Sequence, residues 1–98
     1  MELMLANEAR DKAYRAEFDI VARDTEELMN EIIKDIEKSV SEGKISTMIY
    51  AREYHKDAVE RARDLLAGKG YFSKQFDGLR LGISWDTKNP FKKRYEVQ

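Results

Sequence analysis

The chain reads as a small α+β domain: a long N-terminal helix, then strand, helix and β-hairpin, with a small antiparallel sheet packed on the helices. Three observations predict this. Apolar residues recur at helical spacing over roughly residues 7–42. A short β-branched run follows Gly43. Near the C-terminal end, two alternating segments flank Asp77-Gly78, a dipeptide that signals a hairpin. At 98 residues, with 42% hydrophobic residues, 5 Gly and 1 Pro, the composition is that of one globular domain. Residues 1–86 are read as that domain, with the helix over 7–42 partly protruding, and 87–98 as a basic C-terminal tail.

In the first helix, Asn7 is a candidate cap with Glu8 in the first turn. Tyr14, Phe18, Val21, Thr25, Leu28 and Ile32 step by 4, 3, 4, 3, 4, a heptad seam with one polar position. Ala9, Ala13, Ala16 and Ile20 form a second stripe. Asp24 and Glu27 have capping-box spacing, so a break near residue 24 and a fold-back into a helical hairpin is the alternative to one continuous helix. The seam keeps its phase through that point without Gly or Pro, which favours continuity. Gly43 is the expected stop. About 35 helical residues span roughly 50 Å, far beyond the ~13 Å radius of gyration of a compact domain this size. The seam residues Tyr14, Phe18, Val21, Leu28 and Ile32 are therefore expected to build both core and contacts with another copy.

Lys44 to Tyr50 reads as a strand. Ala51, Tyr54, Ala58, Val59, Ala62, Leu65 and Leu66 mark a second helix, with Asp57 and Glu60 offering a later start. Gly68 and Gly70 mark its end. Tyr71–Phe76 and Leu79–Trp85 are the hairpin strands. A two-residue loop would set Phe76 opposite Leu79 and Phe72 opposite Ile83. Phe72, Phe76, Leu79, Leu81, Ile83 and Trp85 would then share the buried face with Lys74, which must snorkel outward, and Arg80 would lie on the polar one beside Gly82, which leaves room above the backbone. The tail carries Pro90, Phe91 and the basic run Lys92-Lys93-Arg94, either disordered or docked on a neighbouring copy.

Net charge is −1, but unevenly spread: residues 1–49 hold 7 Lys/Arg against 12 Asp/Glu, and residues 50–98 hold 11 against 7. Two solvated faces, head-to-tail pairing, or an anionic ligand on the basic half all suit this asymmetry. The absence of cysteine excludes disulfides and thiolate metal sites. No uncharged apolar run reaches membrane length, and the first residues lack the pattern of a secretory signal. His55, the sole histidine, has no partner at metal-ligand spacing. Neither a nucleophile elbow nor a phosphate loop is present. The chain is therefore read as a non-enzyme without metal or cofactor.

Aromatic and guanidinium groups in the basic half suggest a ligand surface. Arg52, Tyr71, Arg80, Trp85 and Arg94 are the candidates, because stacking plus phosphate contact holds nucleotides and single strands. A pI near 5.9 speaks against a duplex binder.

Gly43-Lys44-Ile45-Ser46, the helix with Ala58, Ala62 and Leu65-Leu66, Gly70-Tyr71, and Leu81-Gly82-Ile83-Ser84-Trp85 together resemble small α+β accessory proteins of bacteriophages and prophages, over roughly residues 26–86. The motifs are mostly fold punctuation and carry no functional residues across. The resemblance implies a homo-oligomeric protein of the host-cell cytoplasm that counters a host defence system, by sequestering a small anionic nucleotide signal or blocking a host protein. Nucleic-acid binding through tail and hairpin, or a purely structural assembly role, are the alternatives.

Overall fold

The computed structural model describes residues 2–77 and 80–91. Its elements are α1 (Ala6–Ser41), β1 (Ser46–Tyr50), α2 (Lys56–Gly68), β2 (Phe72–Phe76) and β3 (Arg80–Ser84), the predicted order. The sheet is antiparallel in the order β1-β3-β2, with helices on one face.

α1 is one unbroken helix of 36 residues, about 54 Å long. It makes the molecule 60 Å long, with a radius of gyration of 17.5 Å. The cap is Leu5 and not Asn7, whose Oδ1 instead accepts from the Glu8 N–H. Val21, Leu28, Ile32 and Ser39 are buried, but no described residue from 2 to 20 is. The first four turns thus form an exposed arm, whose Tyr14, Glu17 and Phe18 run beside Asp57 and Arg61 of α2. Glu8/Lys12, Asp11/Arg15 and Asp19/Arg23 each stand four apart with the acid first, a spacing that supports a solvated helix. Where arm meets body, Thr25 Oγ1 donates to the Val21 carbonyl at 2.7 Å. Asp24 does not break the helix. Its Oδ2 accepts the His55 N–H at 2.8 Å, pinning the β1–α2 connection to α1.

Both helices end in the same way. Gly43 (φ +77°) follows the cap of α1, and the N–H groups of Gly43 and Lys44 donate to the Val40 and Ser39 carbonyls. Gly70 (φ +90°) follows α2, and the N–H groups of Gly70 and Tyr71 donate to Ala67 and Leu66. Such paired bonds satisfy orphan helix carbonyls, and positive φ favours glycine. α2 starts at Lys56, close to the later of the two expected starts, but its cap is His55 and Asp57 lies in its first turn. The His55 Nδ1 accepts from the Asp57 N–H, and Ala51 to Tyr54 stay outside the helix. Lys44 and Ile45 likewise precede β1.

The hairpin register differs from the expectation by one residue. Phe76 pairs with Arg80 and Phe72 with Ser84, so Asp77, Gly78 and Leu79 lie between the closing pair. Asp77 itself has φ 45°. Leu81 and Ile83 face the helices and join Leu28, Ile32, Ile49, Val59 and Leu66 in the core. Phe72 and Phe76 lie on the other face, with Lys74 between them. Lys74 explains the direction of the shift. Turning that face inward would bury an ammonium, which costs far more than exposing parts of two rings.

Candidate functional site

The register arranges the outer face as a grid. Its rows are Ser46–Ser84–Phe72, Met48–Gly82–Lys74 and Tyr50–Arg80–Phe76. Tyr50 is 71% exposed. Arg80 and Gly82 do share a face, as predicted, but the space above Gly82 is filled. A Cβ there would lie 2.8 Å from Phe76 Cε2 and 3.2 Å from the Phe91 ring. Phe91 reaches this position through two local turns. Ser84 Oγ accepts from the Asp86 N–H, and Asn89 Oδ1 from the Phe91 N–H. The rings of Phe76 and Phe91 meet edge to face at 6.0 Å, and Lys74 Nζ sits 5.2 Å from the Phe76 centroid.

The candidate ligand residues divide between the two ends of the sheet. At one end, Arg80 pairs with Tyr50, and its Nη2 lies 3.4 Å from Asp77 Oδ2. Arg52 lines a shallow hollow there of about 260 Å³ with Glu31, Tyr50, Glu53 and Tyr54. The Tyr54 hydroxyl donates to Glu31 Oε2 at 2.7 Å. That bond, followed by burial and the charges of Glu31, Glu27 and Glu53, pushes its pKa up to about 12.

At the other end, roughly 13 Å along β3, Tyr71 and Trp85 meet edge to face at 6.3 Å and pack against the core. Their backbone N–H groups are held by the Leu66 and Ile45 carbonyls. Within one chain, Arg52 and Arg80 therefore do not share a pocket with Tyr71 and Trp85. Arg94 lies outside the described residues, as do Lys92 and Lys93.

The seam residues also divide. Val21, Leu28 and Ile32 are buried by their own chain, whereas Tyr14 and Phe18 are 64% and 62% exposed. The Arg61 guanidinium lies 5.8 Å from the Phe18 centroid.

His55 has partners that its sequence neighbourhood does not disclose. Ligand atoms of Glu17, His55 and Asp57 lie within 4.8 Å of one another. Since Nδ1 accepts the Asp57 N–H, the neutral ring carries its proton on Nε2, which lies 3.4 Å from Glu17 Oε1. A cation on Nε2 would move the proton to Nδ1 and break the cap of α2. The arrangement serves as a cap and as a tether between α1 and α2.

Sequence reasoning missed Phe91 as a member of the sheet surface. The Asn89-Pro90 turn signal and the bare Gly82 were the available clues. No family model, curated protein or solved structure matches the chain.

Proposed function

We propose that this chain is a non-catalytic binding protein that works as a homo-oligomer, with the α1 arm as its association element. The observation behind this reading is the exposure of Tyr14 and Phe18, in phase with the buried Val21, Leu28 and Ile32 but only flanked by Asp57 and Arg61 of α2. Large side chains repeating in the same phase as a core seam form a face that a second helix can cover. A second copy suits it because the arm mixes Arg10, Lys12 and Arg15 with Asp11, Glu17 and Asp19, so no single sign of charge opposes self-pairing. The converging polar groups, His55 with Glu17 and Tyr54 with Glu31, serve as cap and tethers.

Following the sequence resemblance, the oligomer is an accessory phage protein of the host cytoplasm. Its target is a small anionic nucleotide or a host protein. Arg52 and Arg80 beside Tyr50 are the groups of one chain that would meet an anion.

Sedimentation velocity tests the association. The wild type should exceed monomer mass, and Phe18→Asp should return it to monomer with an unchanged circular dichroism spectrum. A monomeric wild type, or an unchanged mass in the folded variant, overturns the reading.

A further inference from the structure

The outer face of the sheet invites a different partner from the arm. We infer that it is a stacking platform for single-stranded nucleic acid. The grid places Tyr50 and Phe76 on either side of Arg80, about 10 Å apart at usual strand spacing. Phe91 lies against Phe76, and Lys74 stands beside that ring. Phe91 covers the centre of this face above Gly82, and around it the exposed Tyr50 and Lys74 flank Arg80 and Phe76; rings interleaved with cations offer base stacking and phosphate contact together. The spread of rings across the sheet exceeds one base, which suits a strand better than a mononucleotide. Duplex bases are already stacked on each other, so flat rings gain little from them.

Charge favours a polyanion over a second copy of this face. From Lys69 to Phe91 the sequence holds 4 Lys/Arg and 2 Asp/Glu, a net of 4 − 2 = +2. Residues 6–41, the α1 segment, hold 6 and 10, a net of 6 − 10 = −4. α1 packs on the opposite side of the sheet, though its Glu31 reaches the hollow beside Tyr50 together with Glu53 and Arg52. Stacking two such faces together would set like charges against one another, whereas a phosphate backbone would neutralise them.

This inference does not depend on the arm, and its test separates the two. Fluorescence anisotropy is read with labelled oligothymidylate and oligouridylate of about 12 nucleotides, within the range a small sheet module covers. The full chain should bind at least one of them at low salt, and a duplex of the same length much more weakly. Tyr50→Ala should weaken binding about tenfold. Lys74→Glu should weaken it too and flatten the slope of log K against log salt by about one. Both positions are exposed, so the variants should keep the wild-type circular dichroism spectrum. Phe18→Asp, which disables the arm, should still bind the strand. The inference is overturned by failure of both oligonucleotides to bind, by binding indifferent to both grid variants, by equal affinity for duplex, or by a fall in oligomer mass in Tyr50→Ala without any strand binding.

Discussion

From Val21 to Ser41, α1 lies against β1 and α2, and its apolar stripe disappears into the core. From Ala6 to Ile20 the same helix continues in the same phase, yet Tyr14 and Phe18 remain more than half exposed. One periodic pattern thus serves two surroundings. The difference teaches that heptad spacing specifies a face that can be covered, while the length of the domain decides how much of it the chain covers by itself. Mixed-charge pairs at i,i+4 allow the uncovered part to persist as a helix.

The comparison can be broken by truncating side chains in each half. Leu28→Ala or Ile32→Ala empties a fully buried position and should cost about 2–5 kcal/mol in chemical denaturation. A loss below about 1 kcal/mol would mean that this half is no more a core element than the arm. Within the body, Gly82→Ala drives a methyl against Phe76 and Phe91. It should destabilise by about 1–3 kcal/mol, less if Phe76 swings aside. A neutral result would show that the rings do not press on β3.

Tyr54→Phe loosens the tether to Glu31 and should cost about 0.5–1 kcal/mol at neutral pH, reduced by its partial exposure. Because the folded hydroxyl is raised from 10.0 to about 12, the wild-type advantage is complete below pH 10 and is lost as pH rises toward about 12. Denaturation at pH 8 and pH 11 should show the gap between the two proteins shrinking. A constant gap would remove the Glu31 bond as its source. The smallest effect belongs to the arm. Phe18→Ala should leave the stability of the monomeric fold within about 0.5 kcal/mol of wild type while reducing self-association.

Element order and helix continuity were legible in the sequence because they depend on local signals. These were an uninterrupted seam across Asp24, glycines at Gly43 and Gly70, and alternation beside Asp77-Gly78. The hairpin register was not legible, because Asp-Gly accommodates loops of two or three residues. Burial decides between them, and Lys74 between two phenylalanines was the residue that could have told. That single step turned the aromatic face from inside to outside, and with it the surface available to a ligand.

Of the candidate ligand residues, Arg80 was placed on the correct face from alternation alone. The distance of Arg52 and Arg80 from Tyr71 and Trp85 follows from strand pairing, which spacing along the chain does not encode. His55 looked solitary because its partner Glu17 comes from another helix.

Thr25 gives α1 a mechanical character. A threonine hydroxyl bonded to the carbonyl four residues back tends to bend a helix, and this one sits at the root of the arm. The helix extends about 28 Å from Thr25 to Ala6, so a bend of about 10° carries its tip about 5 Å. The adjacent residue, Asp24, holds the His55 N–H, and His55 in turn caps α2. α1 thus meets the start of the second helix at two points, Asp24 on the His55 N–H and Glu17 beside the His55 ring, so a bend at Thr25 would act on the cap of α2.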